Sequence, residues 1–310
     1  MNRARLAATW IAILFCSLWV FAQTAAQAPT APPSVPGAQG GPGRGQGRGG
    51  GRGPRPRKTL LIWADTRNGQ AQHDSVSHAM AVIERLGYES GVYDSYIRTD
   101  SNIISKSPLK TTGEPASGGP SLANVDAIFF LGHREVELDD KQKADLLSFV
   151  KDEGKGFVAA HTATTAFLGW PEFGEMLGAR YDGHPWGSAA GTIINEDAAF
   201  PATRHFGAGP FAFTDEFYQA KDYSREKLRV LLRLDVSKMP PNDEVHRTDG
   251  DFPLVWAKNY GKGRVFYSAL GHAASTWDNR DVGQMYLEAI KWAMGLTEGD
   301  ATPRPMPAMK

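Results

Sequence analysis

Cysteine is almost absent from this chain. The single thiol, Cys16, lies inside an apolar run over residues 10–22, which follows Arg3 and Arg5 and precedes small residues. That pattern reads as a secretory signal peptide over residues 1–28, with cleavage expected between Ala22 and Ala28. Without the signal no thiol remains, which excludes disulfides, thiolate nucleophiles and cysteine metal sites. The run is also short, at about 13 residues against the roughly 20 that a permanent span needs. Phe15 stands where a lipoprotein signal places a small residue, so neither a membrane span nor a lipid anchor is expected. Export to the periplasm or beyond is.

Net charge is lacking too. Lys plus Arg number 34 and Asp plus Glu 34, which gives no global attraction for a polyanion, and no nucleic-acid partner is expected. There is no internal repeat. There is no GxSxG elbow, and no GxGxxG after the first apolar run, where WADTRNGQ stands instead. Those absences disfavour a serine hydrolase and an ordinary dinucleotide-binding enzyme. Nor is there an HExxH or other tight spacing from which metal ligands can be chosen.

Residues 29–57 consist mainly of Gly, Pro, Gln and Arg, as in GPGRGQGRGGGRGPRPR. Such a segment buries too little apolar surface to fold and reads as a disordered linker. Residues 58–299 suffice for one large α/β domain, and 300–310 read as a disordered tail. KTLLIWAD predicts a strand buried on both faces. Val76, Met80, Val82, Ile83 and Leu86 predict a helix over 73–86 that stops at Gly87. YESGVYD and VDAIFFLG predict further strands, separated by a polar loop over 95–124 of a length usually functional or mobile. An amphipathic helix over 138–153, capped by Asp139 or Asp140, leads to the strand GFVAA.

This order predicts a doubly wound, mostly parallel sheet in a three-layer α/β/α fold. SAAGTIIN, FAFTDEF, RVLLRLD, PLVWAKNY and RVFYSAL add strands in the C-terminal half, with KNYGKG as a hairpin turn. A helix over 281–294 closes the chain.

His133, His161 and His272 each lie one step past the end of an apolar strand, at the sheet edge where ligands of open α/β folds bind. His73, at the first strand–helix junction, and His184, in YDGHPW, reach toward the same edge. Each alone reads as a satisfied structural histidine; five in related places point to a site. With Asp215 and Glu216 such a cluster could hold zinc or another divalent ion, although the sequence does not choose the ligands. Strand alternation turns Asp215 and Glu216 in opposite directions, so one faces the cleft as a catalytic group and the other anchors a loop or surface. Trp186, Tyr218 and Trp277 are candidates for stacking on a sugar ring, against the alternative of core packing.

Several separated motifs resemble one family. KGFVAAHTAT, WPEFGEMLGARYDGHPW, TDEFY, DGDFPLVWAKNYGKGRVFYSALGH and WDNRDVGQMYLEAIKWAMG occur in that order over about residues 58–295, and together they resemble the ThuA-like proteins linked to trehalose utilisation. The resemblance implies a class I glutamine amidotransferase-like fold. In amidotransferases a cysteine occupies the elbow after a central strand; here that position reads His161, Thr162, Ala163, so amidotransferase chemistry is not expected. The resemblance further implies a small carbohydrate ligand, either a disaccharide, a glycoside or a 3-keto-sugar. It marks His161, His272, Asp215 and Glu216 as catalytic candidates and His184 as a binding residue, with His73 near an early family histidine. A non-catalytic sugar-binding protein and a secreted metal-dependent hydrolase are the alternatives.

Overall fold

The computed structural model describes residues 57–67, 72–134 and 138–307. The expected signal peptide, nearly all of the linker and the last three residues lie outside them. Among the described residues no helix is long and apolar enough to cross a membrane.

Five strands form a parallel half-sheet: β1 (Lys58–Trp63), β2 (Tyr93–Arg98), β3 (Ala127–Phe130), β4 (Gly156–Ala160) and, arriving late in the chain, β11 (Gly263–Ser268). Their order is β2-β1-β3-β4-β11, and every neighbouring pair is parallel. Inside the β2 edge, whose YDSYIR is largely exposed, the strands are covered on both faces and almost continuously apolar; Leu60, Leu61, Ile62 and Trp63 are fully buried. The helices fall into two contacting groups. One holds α1 (Ser75–Ser90), α4 (Ala274–Asp278) and α5 (Arg280–Ala293); the other holds α2 (Asp140–Lys151) and α3 (Pro171–Leu177). This is the three-layer arrangement expected.

The sheet continues antiparallel past β11 through β10 (Pro253–Tyr260), β9 (Arg229–Leu234), β6 (Ser188–Asn195) and β7 (Pro210–Glu216). A separate two-stranded ribbon pairs β5 (Arg180–Tyr181) with β8 (Ala220–Lys221). Strand β6 meets β9 only through Ile193, Ile194 and Asn195, whereas it pairs with β7 along seven positions. The free half of this hairpin therefore projects past the C-terminal end of β9. That overhang matters, because a flat sheet at about 4.8 Å per strand would hold β7 roughly 19 Å from β11, yet their C-terminal ends touch.

Several boundaries differ from the sequence reading. Helix α1 runs through Gly87, where a β-carbon would collide with the Tyr93 ring, and stops at Gly91 in a left-handed conformation, φ 66°. Gly87 is thus a packing residue and Gly91 the cap. The second strand begins only at Tyr93, and the loop that follows is fastened down. Ser101 donates to Asp65 at 2.6 Å, Gln142 donates to the Ser101 carbonyl at 2.7 Å, and Ile103 and Ile104 are buried. Asp139 is the α2 cap, in a reciprocal capping box with Gln142. The tail, expected to be disordered, is held through its described part: Arg229 donates to Asp300 and to the Thr302 carbonyl, and Ala301 is buried.

Candidate functional site

The C-terminal ends of β1, β3, β4, β11 and β7 share one edge of the sheet, and the residues that follow them carry the polar chemistry. His161 is the first residue after β4 and adopts φ 40°, a left-handed conformation that is costly for a side chain bearing a β-carbon. Its backbone is held there by Tyr267, whose hydroxyl donates to the His161 carbonyl at 2.8 Å. His272 follows β11 on a loop whose conformation depends on Gly271, at φ 147° with the Trp277 ring 2.9 Å from where a β-carbon would sit. His73 precedes α1, His133 follows β3, and Glu216 ends β7.

The Glu216 carboxylate is the hub. Its Oε2 lies 3.0 Å from His272 Nδ1, 3.3 Å from His161 Nε2 and 3.8 Å from His73 Nε2, while Oε1 lies 3.5 Å from His184 Nε2. The His73 ring stands edge-on to His161 and His272, with centroids 5.0 and 4.8 Å apart. Tyr218 stacks on His161 at 4.2 Å.

Hydrogen bonding fixes two tautomers. His161 Nδ1 lies 2.7 Å from the Ala269 carbonyl, which can only accept, so the proton is on Nδ1 and the Nε2 lone pair faces Glu216. Two acceptors then stand 3.3 Å apart in a fully buried place. Accordingly His161 Nε2 and His272 Nδ1 are buried without a hydrogen-bond partner among the described residues. His133 is different: Thr165 gives its hydroxyl proton to Thr162, so it accepts from His133 Nδ1 at 2.8 Å, and Arg134 donates to His133 Nε2 at 3.0 Å.

Burial dominates the protonation of both histidines. It lowers His161 below the usual imidazole value although Glu216 and Asp215 oppose the shift. It pushes His133 down to about 4, with the neighbouring His73 and Arg134 adding to the shift. Burial also opposes charge on Glu216, but a proton carried on the facing nitrogens of the imidazoles around it, His161 and His73 first and His272 close by, more than offsets it and holds the carboxyl far below its ordinary range.

A cleft of about 790 Å³ opens over this cluster, lined by His73, His133, Arg134, Tyr181, His184 and Tyr218 among others. His73, His161, Glu216 and His272 present one ligand atom each, all within 4.8 Å of one another, and could hold a metal ion.

Three residues expected at the site lie elsewhere. Asp215, a catalytic candidate, points away from the cleft and is the loop anchor that alternation allowed. Its oxygens accept from the backbone N–H groups of Glu216, Gly271 and His272 and from the Thr276 hydroxyl. Trp277 is buried, stacked on Tyr286, and donates to the Gly271 carbonyl at 3.0 Å, so it braces the His272 loop and offers no face to a ligand. Trp186 packs against Phe252 and donates to the Pro240 carbonyl, lining a separate depression beside Asp235 and Met239. Conversely, Tyr181 and Arg134 line the cleft without having been singled out. Tyr181 hydrogen-bonds His184 Nδ1, and its signal was its place three residues before that histidine.

The sequence pattern of ThuA, described as trehalose utilisation, matches residues 59–293. The chain belongs to the ThuA family. Among solved structures, a ThuA-like protein from Bacteroides uniformis is 20% identical, with a TM-score of 0.59 over 77% of this chain and 91% of that one. A ThuA-like protein from Parabacteroides merdae is 16% identical, with a TM-score of 0.58 over 81% and 94%. At these identities the likeness establishes the fold, which for ThuA-like proteins is the glutamine amidotransferase-like one. No curated protein matches the chain. Membership gives this ThuA protein a carbohydrate-related role.

Proposed function

We propose that this ThuA protein is an exported enzyme that acts on a disaccharide, glycoside or 3-keto-sugar in the histidine-lined cleft. The observation that carries this reading is the convergence of Glu216 with His73, His161 and His272 at the floor of an open, tyrosine-rimmed cleft. Tyr181 and Tyr218 supply apolar ring faces beside hydrogen-bonding groups, the combination that suits a sugar. A keto-sugar carries acidified protons next to its carbonyl, and removing one needs a positioned base. The histidines gathered around the ionised Glu216 are the groups placed to supply it. His133, neutral and with both ring nitrogens engaged by Thr165 and Arg134, holds Arg134 at the rim of the cleft without adding charge of its own. Export rests on the N-terminal sequence pattern.

The test is proton NMR of the full chain with trehalose, other glucosides and their 3-keto forms, beside Glu216→Gln. New product signals that disappear in the variant support the enzyme. Ligand line broadening with no product would favour a binding protein, and no effect with any sugar would defeat the reading.

A further inference from the structure

We propose that His73, His161, Glu216 and His272 bind one divalent transition-metal ion. The inference deepens the proposed reading of the same cleft, but its test needs no sugar.

Spacing is the first support. Four ligands about 2.05 Å from a tetrahedral metal lie about 3.3 Å from one another, and adjacent ligands of an octahedral metal about 3.0 Å. The carboxylate oxygen lies 3.0, 3.3 and 3.8 Å from the three imidazole nitrogens, and no ligand atom is more than 4.8 Å from another. The four atoms therefore surround one point, and even the widest separation the cluster allows leaves its atoms only a few tenths of an ångström outside bonding distance.

The second support is the state of those atoms. His161 is fully buried, its proton is committed to the Ala269 carbonyl, and its remaining lone pair is aimed at a carboxylate oxygen. With no proton between them, lone pair and carboxylate repel. A cation between them turns that contact into two bonds. His272 Nδ1, also buried and unpartnered, faces the same oxygen.

The surroundings match what metal-binding imidazoles require. The Ala269 carbonyl orients the His161 ring as a second-shell acceptor does. Asp215 fixes the backbone of both Gly271 and His272. His184 Nε2 lies 3.5 Å from the second oxygen of Glu216, Oε1, so Oε2 is the one that faces the other three imidazoles. Three nitrogens and one oxygen select a zinc-type ion over calcium or magnesium, which prefer oxygen. The cleft lies over the cluster, so the ion would keep an exchangeable position toward it.

The experiment uses the full chain purified without a nickel column. Elemental analysis is expected to find about one transition metal per chain. After chelation, Co²⁺ should restore one ion per chain and give visible absorption several-fold stronger than the aqueous ion. Glu216→Gln, which preserves shape, and His73→Ala should each weaken Co²⁺ binding by more than about 100-fold, beyond the 10–100-fold typical of an outer-shell loss. Folded protein that takes up no Co²⁺ would overturn the proposal, as would stoichiometric binding that neither variant weakens. Sugar turnover by folded protein that takes up no metal would overturn it while sparing the sugar reading. One bound metal with no action on any sugar would do the reverse.

Discussion

Replacing Asp215 by Asn tests whether one buried carboxylate holds the site's loop in place. Oδ1 accepts from Glu216 N at 2.8 Å and His272 N at 3.1 Å, and Oδ2 accepts from Gly271 N at 2.8 Å and Thr276 Oγ1 at 3.2 Å. An amide keeps one of those oxygens. If its NH₂ takes the Oδ2 position, the Thr276 hydroxyl can rotate, but the Gly271 N–H faces another donor. An orphaned buried donor costs about 1–3 kcal/mol, and the retained bonds fall from charge-assisted to neutral strength, a further loss of about 1 kcal/mol each. Losing a buried charge works the other way, although four donors already solvate it. The net expectation is about 2–5 kcal/mol, a large part of the roughly 5–15 kcal/mol that keeps a domain folded. Urea unfolding followed by the fluorescence of the buried tryptophans measures it, with an unchanged slope confirming a two-state comparison. A loss below about 1 kcal/mol would refute the anchoring role.

Gly271→Ala is expected to cost more than about 2 kcal/mol, because φ 147° strains any β-carbon and the Trp277 ring lies 2.9 Å from where that carbon would sit; a thermal midpoint equal to wild type would contradict this. His133 and His161 both have lowered values in the fold. As pH falls below the unfolded value of about 6.5, the unfolded chain takes up protons that the folded chain refuses. Stability of chelated protein should therefore decline from about pH 6.5 toward pH 4, by up to about 3 kcal/mol from His133. Urea midpoints at a series of pH values, beside a His133→Gln variant with a shallower decline, check the sign. A midpoint that rose with acid would reverse it.

Much of the fold was legible because apolar runs of strand length announce themselves. GFVAA, SAAGTIIN and PLVWAKNY are strands residue for residue. The α1 boundary was not, because Gly87 and Gly91 are both plausible stops, and only the Tyr93 ring decides which one packs and which one caps. At the site, alternation showed that Asp215 and Glu216 diverge but could not say which turns inward; that depends on how the β6–β7 hairpin leans. Tryptophan composition could not separate Trp277, a brace beneath a loop, from a sugar platform. The ligand quartet was illegible because its members come from residues 73, 161, 216 and 272, a spacing no local motif encodes.

That wide spacing also governs when the centre can exist. His73 and His161 come from the first half of the domain, Glu216 from the overhanging hairpin, and His272 from the loop after the strand that enters the parallel half last. A chain still being made, or cut after His161, holds the early histidines but neither the carboxylate nor the last imidazole. Incomplete chains therefore lack two of the four groups, and complete ones assemble the quartet only when both halves of the sheet are joined.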